Sequence, residues 1–101
     1  MFRLTDCLSQ EYFQTFCRKN HIKKLSLFGS ALRNELNPES DIDLLIEFDE
    51  GHIPGLITLA GMEIELTKAI GRKVDLRTAL DLSRFFRNEV IRQAEVQYEY
   101  V

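Results

Sequence analysis

The first half of this chain contains two short apolar runs that are joined by a polar stretch. The first run ends at Gly29-Ser30, and after ten intervening residues the second opens with Asp41-Ile42-Asp43 and continues from Leu44 to Phe48. Side chains along a strand alternate between the two faces of a sheet, so residues two apart point the same way. The second run therefore predicts a strand that packs Ile42 on one face and projects Asp41 and Asp43 together from the other.

The residues around this strand indicate phosphate and metal chemistry. Two neighbouring carboxylates repel each other unless a cation lies between them, and their hard oxygens suit Mg²⁺. Gly29 lets the backbone approach a phosphate closely, and Ser30 adds a hydroxyl at a predicted helix N-terminus. A phosphate cradle beside a carboxylate pair is typical of phosphoryl and nucleotidyl transfer. The alternative, a solvated turn with Asp43 as a surface acid, is disfavoured because an unpaired carboxylate within an apolar strand is destabilising.

This pattern of Gly-Ser, ten residues and Asp-x-Asp resembles the nucleotidyltransferase superfamily typified by polymerase beta. The short chain is most similar to the minimal nucleotidyltransferase (MNT) group, and the resemblance covers roughly residues 25–75. It implies that three carboxylates are catalytic and bind Mg²⁺: Asp41, Asp43 and Asp75. It also implies that four residues bind the nucleotide: Gly29, Ser30, Arg33 and Ser40.

The assignment of Asp75 as third carboxylate depends on the resemblance. Asp75 lies between Val74 and Leu76, and a strand beside residues 41–48 would bring it next to the first two carboxylates. The residues alone favour an exposed acid that pairs with a neighbouring base, because such surface pairs are common. Three bases are close in sequence: Arg72, Lys73 and Arg77.

Arg33 and Ser40 also have ordinary structural interpretations. Arg33 lies one turn beyond Ser30, where its guanidinium would match phosphate oxygens in geometry. A surface arginine that faces Glu35 or Asp6 fits the residues equally well. Ser40 is first a turn residue at the entry to the strand, and a metal-site role is secondary.

The alternation of helices and strands predicts a single domain over residues 1–101 with an α/β (α+β) fold. The predicted order is αβαβαβα, with helices over 6–19, 30–36, 55–70 and 79–95 and strands over 24–29, 41–48 and 73–76. We expect a small mixed sheet with helices packed mainly on one face. The polymerase-beta-like fold implied by the resemblance would present the carboxylates on the other face. The last residues, 96–101, alternate in polarity, which favours an edge strand over a docking tail or a frayed end.

Composition excludes several classes of protein. The net charge is −3, and residues 35–50 hold seven acids and no base, which argues against direct nucleic-acid binding. No apolar run approaches the roughly 18 residues of a membrane span, and no secretory signal is visible. Cys7 and Cys17 cannot pair within the predicted first helix, so we expect a reducing, cytoplasmic compartment. His21 and His52 have no partner at zinc-like spacing and are expected at the surface.

The resemblance implies a specific function. Minimal nucleotidyltransferases of this size are commonly antitoxins that transfer AMP from ATP to a tyrosine hydroxyl of a cognate HEPN ribonuclease toxin, with which they form a hetero-oligomer. A chain of this length lacks room for an acceptor-binding domain, so the acceptor is expected to come from a partner. The alternative is a non-enzymatic antitoxin that masks the toxin by contact, with its acidic face on a basic cleft. A third, weaker alternative is a nucleotidyltransferase that acts on a small molecule.

Overall fold

The computed structural model describes residues 3–29 and 41–100. Its helices are α1 (Gln10–Lys19), α2 (Leu56–Ile70) and α3 (Arg87–Gln93), with 3-10 turns at Leu4–Asp6 and Ala79–Asp81. Its strands are β1 (Ile22–Phe28), β2 (Ile42–Phe48), β3 (Val74–Arg77) and β4 (Glu95–Glu99). The predicted helix over 30–36 lies outside the described residues, together with Ser30, Arg33 and Ser40.

The four described strands form one mixed sheet in the order β3-β2-β1-β4. The β1 strand is antiparallel to β2 and to β4, whereas β2 and β3 are parallel. Parallel neighbours need a crossover connection, and α2 lies within the one between β2 and β3. The predicted mixed sheet is confirmed.

One face of the sheet packs against α1 and α2 to form the core. Alternate positions of β2 are buried, in agreement with the predicted alternation of the strand. The sheet contributes Leu25, Leu27, Ile42, Leu44, Ile46, Val74 and Leu76 to the core, and the helices contribute Phe13, Phe16, Cys17, Met62 and Leu66. No helix in the described ranges is both long and apolar enough to cross a membrane.

Side chains of α2 hold β3 in place. The backbone N–H of Val74 donates to Thr67 Oγ1 at 3.0 Å, and that of Leu76 donates to Glu63 Oε2 at 2.8 Å. These bonds satisfy amides on either side of Asp75 at an edge of the sheet, where unpaired donors would otherwise face solvent. The position of Asp75 is therefore fixed from both sides.

Two predicted helices have different bounds in the structure. The first begins at Gln10, where Ser9 Oγ accepts from the backbone N–H of Tyr12 at 3.1 Å, so the predicted N-cap at Thr5 or Asp6 is wrong. The single helix predicted over 79–95 is also wrong. It is divided because Thr78 and Asp81 form a capping box that closes a separate 3-10 turn before α3 begins.

The predicted order αβαβαβα also lacks the last strand. The β4 strand pairs antiparallel with β1, which confirms the edge strand favoured for the C-terminal residues. Tyr98 packs edge-on against Phe13 with ring centroids 6.1 Å apart, and Gln97 Oε1 accepts from the backbone N–H of Leu4 at 3.0 Å. The strand thereby ties the C-terminal segment to the first turn of the chain.

Candidate active site

Gly29 ends β1 directly beside Asp43 of β2. The preceding residue, Phe28, is the register partner of Asp43, and Gly29 itself has a φ of 72°. A Cβ at Gly29 would lie 2.5 Å from Asp43 Oδ2, a distance that no side chain tolerates without displacing the carboxylate. Glycine is needed here both for its left-handed backbone and for the close approach of Asp43.

Asp43 and Asp75 lie side by side on the face of the sheet opposite the core. They are register partners in the parallel pair of β2 and β3, and both are half-buried. Their chain neighbours Ile42 and Val74 are buried on the helical face. Adjacent strands are about 4.8 Å apart, so the two carboxylates extend from neighbouring backbone positions. The predicted proximity of Asp75 to the first carboxylates is present in the sheet.

Asp41 immediately precedes β2. The strand begins at Ile42, one residue later than the predicted start at Asp41. It is two positions from Asp43, and its Oδ2 lies 3.8 Å from Lys73 Nζ, the residue before β3. Both side chains of this ion pair are largely exposed, so the pair contributes little to stability. Loss of this pair to another cation would therefore cost the fold little.

Asp75 forms a closer pair with Arg77, two residues further along β3. Arg77 Nη2 and Nε donate to Asp75 Oδ2 at 3.1 and 3.3 Å. The hydrogen bond to Asp75, with the negative charge of that carboxylate, raises the pKa of Arg77. Asp75 thus lies beside Asp43 on the open face of the sheet and also forms an ion pair with Arg77, one of the three nearby bases in the sequence.

The chemistry of the carboxylates suits Mg²⁺. All donors are hard oxygens, and two of them, Asp43 and Asp75, are register partners on adjacent strands. Within residues 3–29 and 41–100, no three acidic, histidine or cysteine side chains converge closely enough to hold a metal ion. Asp41 and Asp75 face Lys73 and Arg77 instead, so metal binding at this face requires these two side chains to turn.

A groove that no sequence pattern predicts continues this face of the sheet. Its cavity measures about 290 Å³ between the open side of the sheet and the segment that follows β3. We call it the Leu45 groove. Its main lining residues are Lys24, Leu45, Glu47, Ile53, Leu80 and Ile91. These residues come from five separate segments, so no local pattern could have identified them.

The two histidines are exposed, as expected, but they contact each other. The rings of His21 and His52 stack with centroids 3.9 Å apart. His21 follows α1 with a positive φ of 56°, and His52 lies in the turn after β2. The two rings meet because the backbone N–H of Asp49, directly after β2, donates to the carbonyl of His21. These segments are far apart in the chain, so sequence spacing did not predict the contact.

The sequence matches the nucleotidyltransferase domain family over residues 10–100. A relative from Methanocaldococcus jannaschii, named as a protein adenylyltransferase, is 36% identical over 76 residues, which cover 75% of this chain and 80% of the relative. The protein adenylyltransferase MntA of Thermococcus cleftensis is 32% identical over 72 residues, 71% of each chain.

Solved structures share the fold. A toxin–antitoxin structure with AMP-PNP superimposes with a TM-score of 0.73 at 21% identity, and the match covers 92% of this chain and 75% of the other. A complex of a tri-AMPylated HEPN toxin from Shewanella oneidensis with an MNT antitoxin gives a TM-score of 0.64 at 20% identity, covering 89% and 69% of the two chains. With the family match spanning nearly the whole sequence, this chain belongs to the nucleotidyltransferase domain family.

Proposed function

We propose that this chain is an antitoxin that transfers AMP from ATP to a tyrosine hydroxyl of a cognate HEPN-type toxin. The observation that carries the proposal is the lateral row formed by Gly29, Asp43 and Asp75 across three adjacent strands. Gly29, whose backbone carries no side chain that would block a phosphate, stands at one end, and a carboxylate suited to an acceptor stands at the other. This arrangement suits transfer between two ligands that meet above Asp43.

The transfer itself is a substitution at the α-phosphorus of ATP. The tyrosine oxygen attacks this phosphorus, a new O–P bond forms, and the bond to the β-phosphate oxygen breaks so that pyrophosphate leaves. The hydroxyl proton passes to the carboxylate of Asp75 or to solvent. Gly29 admits the phosphates, and Ser30, Arg33 and Ser40 are proposed to bind the same nucleotide.

We also propose that the reaction requires Mg²⁺ held by Asp41, Asp43 and Asp75. The ion would neutralise phosphate charge and orient the triphosphate. Asp75 would in addition accept the proton of the acceptor hydroxyl as a general base, a role that its position beside Asp43 supports.

A protein acceptor is supported by the relatives and by the solved complexes. Two relatives are named as protein adenylyltransferases, and one structural neighbour contains a HEPN toxin that carries AMP groups. Modification of a ribonuclease by a bulky, negatively charged group would oppose its binding of RNA. We place the activity in the cytoplasm, since both cysteines are free.

The direct test is AMP transfer to a purified HEPN-type toxin. The chain is incubated with the toxin, Mg²⁺ and ATP labelled at the α-phosphate, and label on the toxin is measured by gel and mass spectrometry. Wild type should label a tyrosine of the toxin. Asp43→Asn should not, whereas Glu50→Gln, the same type of change in an exposed turn, should label it normally.

A ribonuclease assay in parallel distinguishes enzymatic from contact neutralisation. Under the proposal, the toxin loses activity only when ATP, Mg²⁺ and an active chain are all present. If Asp43→Asn, or wild type without ATP, inhibits the toxin as well as the complete reaction does, the chain masks its partner by contact and the enzymatic proposal is wrong.

A further inference from the structure

The Leu45 groove lies next to the carboxylates of Asp43 and Asp75 on the open face of the sheet. Leu45 is two residues beyond Asp43 on the same face of β2, and its register partner on β3 is Arg77, which is bonded to Asp75. Two residues of a strand span about 7 Å. The groove therefore opens one side-chain position away from the proposed site.

The groove and Gly29 lie in opposite directions from Asp43. Along β1, Gly29 follows Phe28, the partner of Asp43, whereas the groove is lined by Ser26 and Lys24 further back on the same strand. Phosphoryl transfer aligns the attacking and leaving oxygens on opposite sides of the phosphorus. If pyrophosphate departs on the Gly29 side, the acceptor must approach from the side of the groove.

The groove is apolar and open to solvent. Ile53, Leu80 and Ile91 line it with 76%, 83% and 44% of their surfaces exposed. Contiguous exposed apolar side chains on a small protein mark sites of association. A cavity of about 290 Å³ is at the small end of ligand pockets, so it suits one or two large side chains rather than a whole nucleotide.

We propose that the Leu45 groove receives a large aliphatic or aromatic side chain of the acceptor protein and so positions the acceptor hydroxyl over Asp75. This inference rests on the proposed function and specifies how the partner binds. Burial of such a side chain among Leu45, Leu80 and Ile91 provides the apolar anchor that dominates many protein interfaces. The Lys24 and Glu47 side chains at the margin can pair with polar groups beside that anchor.

The test places a charge in the groove. Ile91→Glu and Leu80→Glu are compared with Ile64→Glu, a matched control on α2 that is 55% exposed and outside the groove. For each variant, calorimetry gives the affinity for a HEPN-type toxin and for ATP with Mg²⁺, and labelled ATP gives kcat/KM for transfer to the toxin. The unfolding midpoint is measured alongside.

The groove variants should lose at least tenfold in toxin affinity and in kcat/KM, with ATP affinity unchanged. Ile64→Glu should match wild type in all three measurements. Groove variants that bind and modify the toxin like wild type overturn the proposal. A parallel loss of ATP affinity also overturns it, because the groove would then hold the base of the nucleotide. If wild type is a dimer and Leu80→Glu is a monomer, the groove binds a second copy of this chain and the proposal is overturned.

If Ile91→Glu lowers the unfolding midpoint, the highly exposed Leu80 carries the test, with Ile91→Ala as the milder change. If wild type binds the toxin but transfers no AMP, the proposed function fails, whereas the affinity comparison still decides whether the groove is the docking surface.

Discussion

Asp43 on β2 and Asp75 on β3 are direct register partners in the parallel part of the sheet. Like charges at neighbouring positions of paired strands destabilise a sheet. Here a guanidinium bonded to Asp75 offsets that repulsion. The pair is therefore expected to add little to the stability of the fold, which agrees with the cation-binding role proposed for it.

Replacement of Asp43 by asparagine should abolish transfer without unfolding the chain. The amide has nearly the same shape and removes one of the two facing charges, so the unfolding midpoint should be equal or slightly higher. Loss of a preorganised charge at a reacting phosphate typically lowers kcat by on the order of 10² or more. Single-turnover transfer and thermal unfolding of Asp43→Asn test both parts. Transfer near the wild-type rate would remove Asp43 from the catalytic residues.

Replacement of Gly29 by alanine should weaken nucleotide binding more than it weakens folding. The added Cβ would lie 2.5 Å from Asp43 Oδ2, so the carboxylate must move away from its present position. The positive φ of 72° adds a backbone penalty of about 1 kcal/mol. Calorimetry with ATP and Mg²⁺ and denaturant unfolding separate the two effects.

Gly51→Ala is the matched control for this variant. Gly51 has a similar φ of 83°, but a Cβ there would meet no atom within 4 Å. Both variants should lose about 1 kcal/mol of stability, and only Gly29→Ala should lose nucleotide affinity. Equal nucleotide affinity in the two variants would refute the role of Gly29 as part of the phosphate cradle.

The sequence predicts the parts of this fold that depend on local patterns. The alternation in β2 identifies both its buried face and the side of Asp43, because the period of a strand is set by backbone geometry. The end of α2 is equally clear, since Gly71 adopts the left-handed conformation that terminates helices. For β2 and the end of α2, the local sequence is therefore enough to predict the structure.

Features that depend on distant segments are not predictable in this way. Thr78 and Asp81 divide the predicted last helix through a capping box that resembles any surface polar pair in sequence. The adjacency of Asp43 and Asp75 requires the strand order, which only the family resemblance supplied. The Leu45 groove could be predicted only from the tertiary structure. In the sequence, Leu80 and Ile91 look like ordinary residues of the predicted last helix, and only the fold places them beside the sheet.

Truncation after Val96 should destabilise the fold. It removes the packing of Tyr98 on Phe13, the bond from Leu4 to Gln97, and the bond from the backbone N–H of Tyr100 to the Lys23 carbonyl at 2.8 Å. Loss of this partly buried aromatic pair and of the two hydrogen bonds should lower the free energy of unfolding by about 1–3 kcal/mol. Denaturant unfolding measures this loss. A truncated chain of unchanged stability that binds the toxin weakly would instead make this segment a docking tail.

Cys17 should make stability depend on pH at the alkaline end. Burial raises the pKa of its thiol from 9.0 to about 12. The unfolded chain therefore ionises first, so the contribution of Cys17 is complete below about pH 9 and declines toward pH 12. The free energy of unfolding of wild type should fall faster over this interval than that of Cys17→Ala. Equal slopes would show that the thiol is accessible in the native state, and iodoacetamide would then modify both Cys17 and the exposed Cys7.

Removal of Arg77 should reduce the Mg²⁺ concentration that the reaction needs. Arg77 donates two hydrogen bonds to Asp75 Oδ2, so it competes with any metal ion for that oxygen. In Arg77→Ala, the Mg²⁺ concentration for half-maximal AMP transfer should fall several-fold. Arg92→Ala, which breaks an exposed pair with Glu89 in α3, is the control and should leave this concentration unchanged. A higher Mg²⁺ requirement in Arg77→Ala would mean that Arg77 binds the nucleotide phosphates rather than holding the place of the metal.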